Sequence, residues 1–388
     1  MKFDERILKA LNETGLTTAT EIQEKTIPVA MRGEDLFAQS MTGSGKTAAF
    51  MIPILHKISY GHGIQALILS PTRELALQIT EHAKKISKYM RASICTVYGG
   101  VGIEPQISAL RHADIVVGTP GRVLDHMDRR TINLSKIKIL VLDEADRMLD
   151  MGFIDDIKLI ISKLPQQRQT MLFSATIPDE IKYIANRFMK HPAHLKAKIQ
   201  VSTEKLEQHY YDVRDDEKLS LLVHLVNKEK PKLALIFCAT RNRTDMVADA
   251  LQQYNIEAKP IHGGMTQSAR SHVMEGFHRG RPHILVATDV AARGLDIKNV
   301  SHVFNFDLPQ EADAYTHRIG RTARIGKEGK ALSLLSQKDH EGFRKIQKYH
   351  DIRREKEHFE KLNFRIKHRE RRDGGGRRRP RWGLRRDY

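Results

Sequence analysis

Short runs of aliphatic residues recur along the chain, and each is followed by a stretch with helical spacing. In the first half the runs cover 66–69, 94–98, 115–117, 139–142 and 170–173. Such short, continuous apolar runs are typical of strands that are buried on both faces. Strands that alternate with helices indicate βα units and a parallel sheet. The pattern therefore predicts an α/β fold.

The second half repeats this alternation, with strands predicted at 208–213, 234–238, 258–261, 283–287, 302–306 and 331–335. Between the halves, residues 190–207 are polar and lose the alternation, which is typical of a linker. We therefore expect a first domain at 1–195, a linker at 196–207 and a second domain at 208–346. From 347 the sequence is dense in charge and then rich in Arg and Gly, so we expect 347–388 to be a disordered basic tail.

Composition narrows the class of protein. A chain of 388 residues fits two domains. No apolar run approaches the roughly 18 residues of a membrane span, so no membrane is expected. Cys95 and Cys238 are the only cysteines and form no CxxC pair, so we expect neither a disulfide framework nor a structural metal. Such low cysteine use is typical of a reducing compartment, so we expect a cytoplasmic location. The net charge of +18, of which residues 365–388 supply +8, predicts a polyanionic partner.

Residues 40–47 read SMTGSGKT and lie between an apolar segment and a helical pattern. Glycines in such a loop let backbone N–H groups approach phosphates, a lysine neutralises them, and a threonine hydroxyl reaches Mg²⁺. The sequence therefore predicts an ATP-phosphate site, formed by Thr42, Gly43, Ser44, Gly45, Lys46 and Thr47. Upstream, the amide of Gln23 can pair with the N6/N7 edge of adenine.

The strand at 139–142 ends in Asp143 and Glu144. Ligands of an open α/β sheet bind at the carboxyl ends of its strands. One carboxylate there can hold a divalent cation through its water shell, and the other can take a proton from an attacking water. The alternative is an acidic N-cap of the next helix. The phosphate loop favours the chemical interpretation.

Other predicted strands also end in polar segments. In the first half these are PTRELA at 71–76, GG at 99–100, TPGR at 119–122 and SAT at 174–176; in the second half they are ATRN at 239–242, HGGM at 262–265, ATDVAARGLD at 287–296 and YTHRIGRTAR at 315–324. Singly, the Gly-Gly and Thr-Pro-Gly turns are ordinary loops. Together, the segments of the first half offer a path for a sugar-phosphate backbone along one sheet edge.

Arg321 and Arg324 are three residues apart, on one face of a predicted helix. The pair could be a solvated or salt-bridged surface. Opposite a phosphate loop, it could instead stabilise charge on the γ-phosphoryl group, as arginine fingers do.

These motifs, in this order over residues 12–335, carry a resemblance. The chain resembles the DEAD-box ATP-dependent RNA helicases, of the bacterial type that ends in a basic tail. The resemblance rests on GLTTATEIQ, GSGKT, PTRELA, GG, TPGR, DEAD, SAT, IFCAT, ATDVAARGLD and HRIGRTAR. It implies two tandem RecA-like domains of parallel sheet, and ATP and Mg²⁺ as cofactors.

The resemblance implies a role for each residue near ATP. Gln23 would read adenine, while Lys46 and Thr47 would hold phosphates and Mg²⁺. Asp143 would hold the metal through water, and Glu144 would be the general base.

Further roles are implied for the second domain and for the contact between the domains. Asp296 would touch the ribose, His317 would line the site, and Arg321 and Arg324 would be the arginine fingers. Ser174 and Thr176 would couple hydrolysis to domain movement. Single-stranded RNA would cross both domains, on Arg73, Gly100, Thr119, Gly121, Arg122, Thr240, Gly263 and Thr288.

The function implied is an RNA-dependent ATPase and helicase. It would unwind short duplexes locally, or remodel RNA–protein complexes, by closing two domains on single-stranded RNA. The partner would be RNA, single-stranded or duplex, with ribosomal and RNA-decay assemblies left open. An ATP-gated RNA clamp without productive unwinding is the alternative. A DNA translocase also stays open, because phosphate contacts alone do not distinguish the two sugars.

Overall fold

The structure is a computed structural model that describes residues 3–40, 44–197, 206–292, 297, 300–322 and 328–365. Its described part contains two seven-stranded parallel sheets, one in each half of the chain. The prediction of two tandem RecA-like α/β domains is confirmed.

The first domain opens with two helices and then alternates strand and helix. Its elements are α1 (Glu5–Glu13), α2 (Glu21–Arg32), β1 (Leu36–Gln39), α3 (Lys46–Lys57), β2 (Ala66–Leu69), α4 (Arg73–Ile86), β3 (Ile94–Val97), α5 (Glu104–Leu110), β4 (Ile115–Gly118), α6 (Pro120–Asp128), β5 (Ile139–Leu142), α7 (Ala145–Asp150), α8 (Ile154–Ser162), β6 (Gln169–Ser174), α9 (Asp179–Phe188) and β7 (Ala193–Lys196). The strand order is β3-β4-β2-β5-β6-β1-β7. Apolar clusters cover both faces of this sheet, which explains why its inner strands are continuously apolar.

The second domain repeats the plan. Its elements are β8 (Leu206–Asp212), α10 (Lys218–Glu229), β9 (Ala234–Phe237), α11 (Arg241–Gln253), β10 (Ala258–Ile261), α12 (Gln267–His278), β11 (Ile284–Ala287), α13 (Asp289–Ala292), β12 (His302–Asn305), α14 (Ala312–Ile319), β13 (Gly329–Leu335), α15 (His340–Gln347) and β14 (Arg353–Glu355). The strand order is β10-β11-β9-β12-β13-β8-β14. Its core again lies on both faces of the sheet.

The interior strands agree closely with the predicted runs, whereas two edge strands were not predicted. β7 falls in the stretch where the alternation is lost, and β14 falls in the expected tail. β14 is polar and exposed, and β7 alternates half-buried Ala193 and Leu195 with exposed His194 and Lys196, so neither has the apolar run that marks an interior strand. β7 pairs with β1, and β14 pairs with β8.

The expected start of the tail at 347 is wrong. After β14, residues 356–365, here called the strap, continue across α10 and α11. Phe359, Leu362 and Phe364 pack against the core of the second domain. The backbone of Arg365 exchanges two hydrogen bonds with the Gln253 side chain. The strap is charged in sequence, and its three apolar side chains secure it to the domain. Residues 366–388 lie outside the described part.

The first sheet ends at Lys196 and the second begins at Leu206, while residues 198–205 lie outside the described part. The two halves meet at an ion pair in which Arg270 Nε of α12 lies 3.4 Å from Glu74 Oε1 of α4. Among the helices that the structure describes, each is too short or too polar to cross a membrane.

Candidate functional site

The phosphate loop joins β1 to α3, and its last glycine sets the direction of the helix. Gly45 has φ +94° and is the N-cap of α3, of which Lys46 is the first residue. A Cβ at position 45 would lie 2.5 Å from Gln23 Nε2, so both conformation and space require glycine. Ser44 and Thr47 lie on either side of this turn, whereas Thr42 and Gly43 lie outside the described residues.

Gln23 contacts this loop directly. Its Nε2 donates to the Gly45 carbonyl at 3.0 Å, and its Oε1 accepts from the Thr20 N–H at 3.0 Å. The Thr20 hydroxyl donates to the Ser44 carbonyl at 2.7 Å. The residue predicted to read adenine is therefore joined to the loop predicted to hold the phosphates. Thr20 was not singled out from sequence, although its spacing to Gln23 is that of a capping box.

Lys46 and Asp143 form the centre of the site. Lys46 Nζ lies 3.4 Å from Asp143 Oδ1, and both side chains are buried. Burial opposes the charge of Lys46, but Asp143, Glu144 and Asp146 outweigh it and raise the pKa of Lys46. Burial raises the pKa of Asp143, against the effect of Lys46. Lys46 is thus held in its charged form beside Asp143, the carboxylate predicted to hold the metal.

Glu144 adopts an unusual backbone conformation, with φ +52° and ψ +54° at the N-cap of α7. Its side chain does not cap the helix, so the alternative of a simple acidic N-cap does not describe it. Instead Arg147 Nη1 donates to Glu144 Oε2, and both residues are buried. A strained residue with a buried charge partner is typical of functional sites. Arg147 was not predicted, and its i,i+3 spacing from Glu144 is the available signal.

Asp146 connects this segment to the SAT segment at the end of β6. Its Oδ2 accepts from the Thr176 N–H at 2.8 Å and from the Thr176 hydroxyl at 2.9 Å. The Asp146 N–H donates to Ser174 Oγ at 3.2 Å. On the other side of β6, the Ser40 N–H donates to the Ser174 carbonyl at 2.9 Å. Movement of the SAT segment would therefore displace both the acidic segment at 143–146 and the start of the phosphate loop.

Strand order divides the carboxyl edge of the first sheet into two parts. The candidate ATP residues follow β1, β5 and β6, which are neighbours. The candidate RNA residues of this domain follow β2, β3 and β4, also neighbours, and β2 lies beside β5. The second domain places Gly263, Thr288 and Thr240 after its three adjacent strands β10, β11 and β9. In each sheet, the candidate RNA residues thus follow three adjacent strands at the carboxyl edge.

Two arginines in the first domain have buried guanidinium nitrogens that lack a hydrogen-bond partner within the described part. Arg73 places its guanidinium 4.4 Å from the centroid of the Tyr98 ring, and its Nε and Nη1 have no hydrogen-bond partner among the described residues. Arg122 donates from Nη2 to the Val101 carbonyl, while its Nη1 has no partner within the described part. Guanidinium donors held in place in this way suit a phosphate.

The remaining candidate RNA residues lie between a strand and the next helix, or in the first turn of that helix. Thr119 is the N-cap of α6 and Gly121 lies in its first turn. Gly100 is exposed and has φ +81°. In the second domain, Thr240 Oγ1 accepts from the Arg243 N–H and caps α11. A Cβ at Gly263 would lie 3.4 Å from Arg241 Nη2.

Thr288 is more buried than an RNA contact requires. It is 8% exposed, and its Oγ1 accepts from the Ala291 N–H at 3.4 Å, at the start of α13. Its side chain therefore caps the start of the helix, which does not favour the predicted RNA contact.

In the second domain α14 carries His317 and ends just before Arg321. Arg318 is buried and forms two 2.7 Å hydrogen bonds with Asp289, which fixes the helix against the end of β11. Arg321 is buried just after the helix end. Asp296 and Arg324 lie outside the described residues.

The residues at this edge suit Mg²⁺. Asp143 Oδ1 is buried, and apart from its ion pair with Lys46 it has no hydrogen-bond partner among the described residues; Thr47 follows Lys46 directly in the chain. Carboxylate and hydroxyl oxygens with phosphate oxygens and water form the usual Mg²⁺ shell. Within the described part, no cluster of three or more His, Cys, Asp or Glu side chains could hold a metal ion. A site of this kind would thus rely on few protein ligands, as Mg²⁺–phosphate sites do.

Comparison with known proteins identifies the family. The DEAD/DEAH box helicase family matches residues 20–184, and the helicase conserved C-terminal domain matches residues 217–326. The ATP-dependent RNA helicase CshA of Listeria monocytogenes is 48% identical over 340 residues, which are 87% of this chain and 65% of that protein. The chain therefore spans just under two thirds of that relative.

Two further similarities cover more of the matched protein. The DEAD-box ATP-dependent RNA helicase CshA of Bacillus subtilis is 46% identical over 344 residues, 88% of this chain and 70% of that protein. The structure of S. cerevisiae Dbp5 bound to RNA and ADP BeF3 is 32% identical, with a TM-score of 0.83 over 91% of this chain and 94% of that one. Given the ordered motifs, the two sheets and these matches, the chain belongs to the DEAD/DEAH box helicase family.

Proposed function

We propose that this chain is an RNA-dependent ATPase and RNA helicase, which closes its two domains over ATP and single-stranded RNA. The observation that carries the proposal is the buried constellation of Lys46, Asp143 and Glu144 beside the Gly45 turn. The similarity to the CshA ATP-dependent RNA helicases, and to the structure of S. cerevisiae Dbp5 bound to RNA and ADP BeF3, supports it.

Each residue of the ATP site has a distinct task. Gln23 binds adenine while remaining joined to the loop at Gly45. Lys46 neutralises phosphate charge from a buried position, where a charge interaction is strong. Thr47 and Asp143 would hold Mg²⁺, which would neutralise charge on the phosphates when bound.

Hydrolysis requires a water in line with the γ-phosphate. Glu144 takes a proton from this water as its oxygen attacks phosphorus, and the bond from phosphorus to the bridging oxygen breaks, giving ADP and phosphate. Arg147 keeps the Glu144 carboxylate in a fixed orientation. Arg321 and Arg324 of the second domain stabilise charge on the transferred group, worth roughly 10³–10⁵ in rate. Their location in the other half makes hydrolysis conditional on closure.

RNA binding accompanies closure. Arg73 and Arg122 offer guanidinium donors, and the glycines at 100, 121 and 263 allow a close backbone approach. The 0.83 TM-score extends over both domains, and Arg270 contacts Glu74 between them, which supports a closed arrangement. A strand gripped by both halves departs from A-form geometry, so a few base pairs separate. The Asp146 bonds to Ser174 and Thr176 would then transmit hydrolysis to the domains.

The test is Glu144→Gln. We expect this variant to bind an ATP analogue and RNA like the parent but to lose ATP turnover at least about a hundredfold, since the base is gone. Equilibrium binding of labelled single-stranded RNA and steady-state phosphate release measure both quantities. Parental turnover in this variant would reject the base assignment.

Two alternatives are distinguished by substrate. An ATP-gated clamp would bind RNA with ATP and hydrolyse ATP, but would leave a short RNA duplex intact. A DNA translocase would be stimulated equally by matched single-stranded DNA. The helicase requires strong stimulation by RNA alone, with strand separation that depends on ATP.

A further inference from the structure

Gln106, on the buried side of α5, forms a pair of hydrogen bonds, here called the clasp, with the backbone just before the Gly-Gly loop at residues 99–100. Its Oε1 accepts from the Tyr98 N–H at 3.2 Å, and its Nε2 donates to the Tyr98 carbonyl at 3.1 Å. Gly99 and Gly100 follow immediately, and Gly100 has φ +81°. A loop with two glycines has little conformational preference of its own. The clasp therefore fixes the point from which this loop departs.

The same amide also contacts the helix of the TPGR segment. His126, fully buried on α6, places Nε2 3.3 Å from Gln106 Oε1 and Nδ1 2.8 Å from the Thr131 hydroxyl. Burial lowers the pKa of His126, so the neutral ring is favoured. Its Nε2–H then donates to Gln106. Since Arg122 lies one turn earlier on α6, Gln106 joins the Gly-Gly loop to the helix that presents this arginine.

Two further contacts complete the connection. The Arg73 guanidinium lies over the ring of Tyr98, the residue that Gln106 clasps. Arg122 Nη2 donates to the Val101 carbonyl within the same loop. Three groups of candidate RNA residues, on the loops after β2, β3 and β4, therefore share one buried amide as their common support.

We propose that Gln106 is a positioning residue for RNA binding, holding the Gly-Gly loop, Arg73 and Arg122 in mutual register for one RNA strand. This inference rests on the proposed function and extends it to a residue that makes no RNA contact. Gln106 is 7% exposed and its hydrogen bonds are all internal. Loss of the clasp would release the loop and tilt Tyr98, and the guanidinium groups would no longer match successive phosphates.

The chain offers a matched control in Gln65. This residue immediately precedes β2, at the edge of the sheet opposite to the one that carries the candidate RNA residues. Gln65 is also buried, and it clasps Ser59 in the same way, with Oε1 accepting from the Ser59 N–H and Nε2 donating to the Ser59 carbonyl. Gln106→Met and Gln65→Met each remove an equivalent pair of amide-to-backbone hydrogen bonds at similar side-chain volume, together with one further 3.3 Å contact, to His126 Nε2 for Gln106 and to the Gly63 carbonyl for Gln65. The two variants differ in which edge of the sheet is released.

The experiment measures the Kd of labelled single-stranded RNA with a non-hydrolysable ATP analogue, for the full chain and both variants. We expect Gln106→Met to raise the Kd about tenfold, the effect of removing one or two well-placed hydrogen bonds to phosphate. The RNA concentration for half-maximal ATPase should rise alongside. KM for ATP and the RNA-free rate should be unchanged. Gln65→Met should lose a similar amount of thermal stability but keep the parental Kd for RNA.

Gln106→Asn is the second variant, in case the first folds poorly. It keeps a neutral amide but is one methylene shorter, so it cannot reach the Tyr98 N–H and carbonyl equally well, and we expect an intermediate Kd. Equal RNA affinity in the parent and both Gln106 variants would overturn the inference alone. A parent chain that neither binds RNA nor responds to it would overturn the proposed function, and the inference with it.

Discussion

Lys46 Nζ and Asp143 Oδ1 lie 3.4 Å apart, and because both side chains are buried, each charge is compensated chiefly by the other. Removing one partner leaves the other buried without compensation. We expect Lys46→Met to lower the free energy of unfolding by about 3–5 kcal/mol without nucleotide, because Asp143 then faces Glu144 alone. Denaturant unfolding measures this loss.

The control for this prediction is the double variant Lys46→Met/Asp143→Asn. Replacing both charges removes the uncompensated carboxylate, so most of the lost stability should return while ATP hydrolysis stays absent. If Lys46→Met unfolds within about 1 kcal/mol of the parent, the pair has no structural role and the charge is screened by water.

A second prediction concerns the end of the phosphate loop. Gly45→Ala imposes a left-handed backbone on a residue with a Cβ and pushes that Cβ against the Gln23 amide. We expect ATP-analogue affinity to fall at least about tenfold, since both phosphate and adenine groups shift. Binding of a fluorescent ATP analogue measures the change.

Gly33 supplies the matched comparison. It has φ +88° at the end of α2, but a Cβ there would meet only Lys57 Nζ at 3.6 Å. Gly33→Ala should therefore cost about 1–2 kcal/mol of stability and leave ATP binding intact. A similar loss of ATP affinity in both variants would show that backbone strain, and not displacement of Gln23, is responsible.

The interior of both sheets could be predicted from the sequence because apolar runs report burial on two faces. The runs at 66–69 and 139–142 coincide with β2 and β5. β7 and β14 could not be predicted in this way, because both are held at a sheet edge by backbone pairing and neither has a continuous apolar run. The strap was missed for a related reason, since its three apolar residues stand among charges and only the packed domain reveals their shared face.

The candidate site shows the same division between residues that the sequence predicts and residues that only the packing reveals. Lys46 and Asp143 lie in local motifs whose chemistry is legible from residue type and spacing. Arg147, which pairs with Glu144, and Gln106, which hydrogen-bonds to the Tyr98 backbone, are buried, and their burial depends on how separate elements pack. A glutamate and an arginine three apart usually form a surface pair. Here the helix carrying them is buried, and the pair becomes part of the site.

A third prediction concerns thiol reactivity. Burial raises the pKa of Cys95 to about 11 and raises that of Cys238 well above its usual value. Because a raised pKa lowers the thiolate fraction at every pH below it, neither thiol should react with a thiol reagent at about pH 7.5 in the native chain. Both should react at once in guanidinium chloride. Rapid labelling of Cys238 in the native state would indicate that the end of β9 opens.

The last prediction separates the strap from the residues that follow it. Residues 366–388 carry 10 Lys/Arg against 3 Asp/Glu. Deleting them should leave the melting temperature unchanged, because the strap still ends at Arg365 on Gln253. RNA affinity should fall, and its dependence on log salt should flatten by about 0.7 for each phosphate of a single strand that the shortened chain no longer neutralises.

Deleting 356–388 should produce the same RNA effect together with a loss of stability. It exposes the apolar core beneath Phe359, Leu362 and Phe364, which we expect to cost about 3 kcal/mol. Comparing the two truncations by thermal unfolding and salt-dependent RNA binding assigns each property to its segment. An unchanged salt slope after the shorter deletion would mean that the basic residues beyond Arg365 contribute solubility and no RNA contact. Equal melting temperatures for both truncations would mean that the strap lies on the domain without stabilising it.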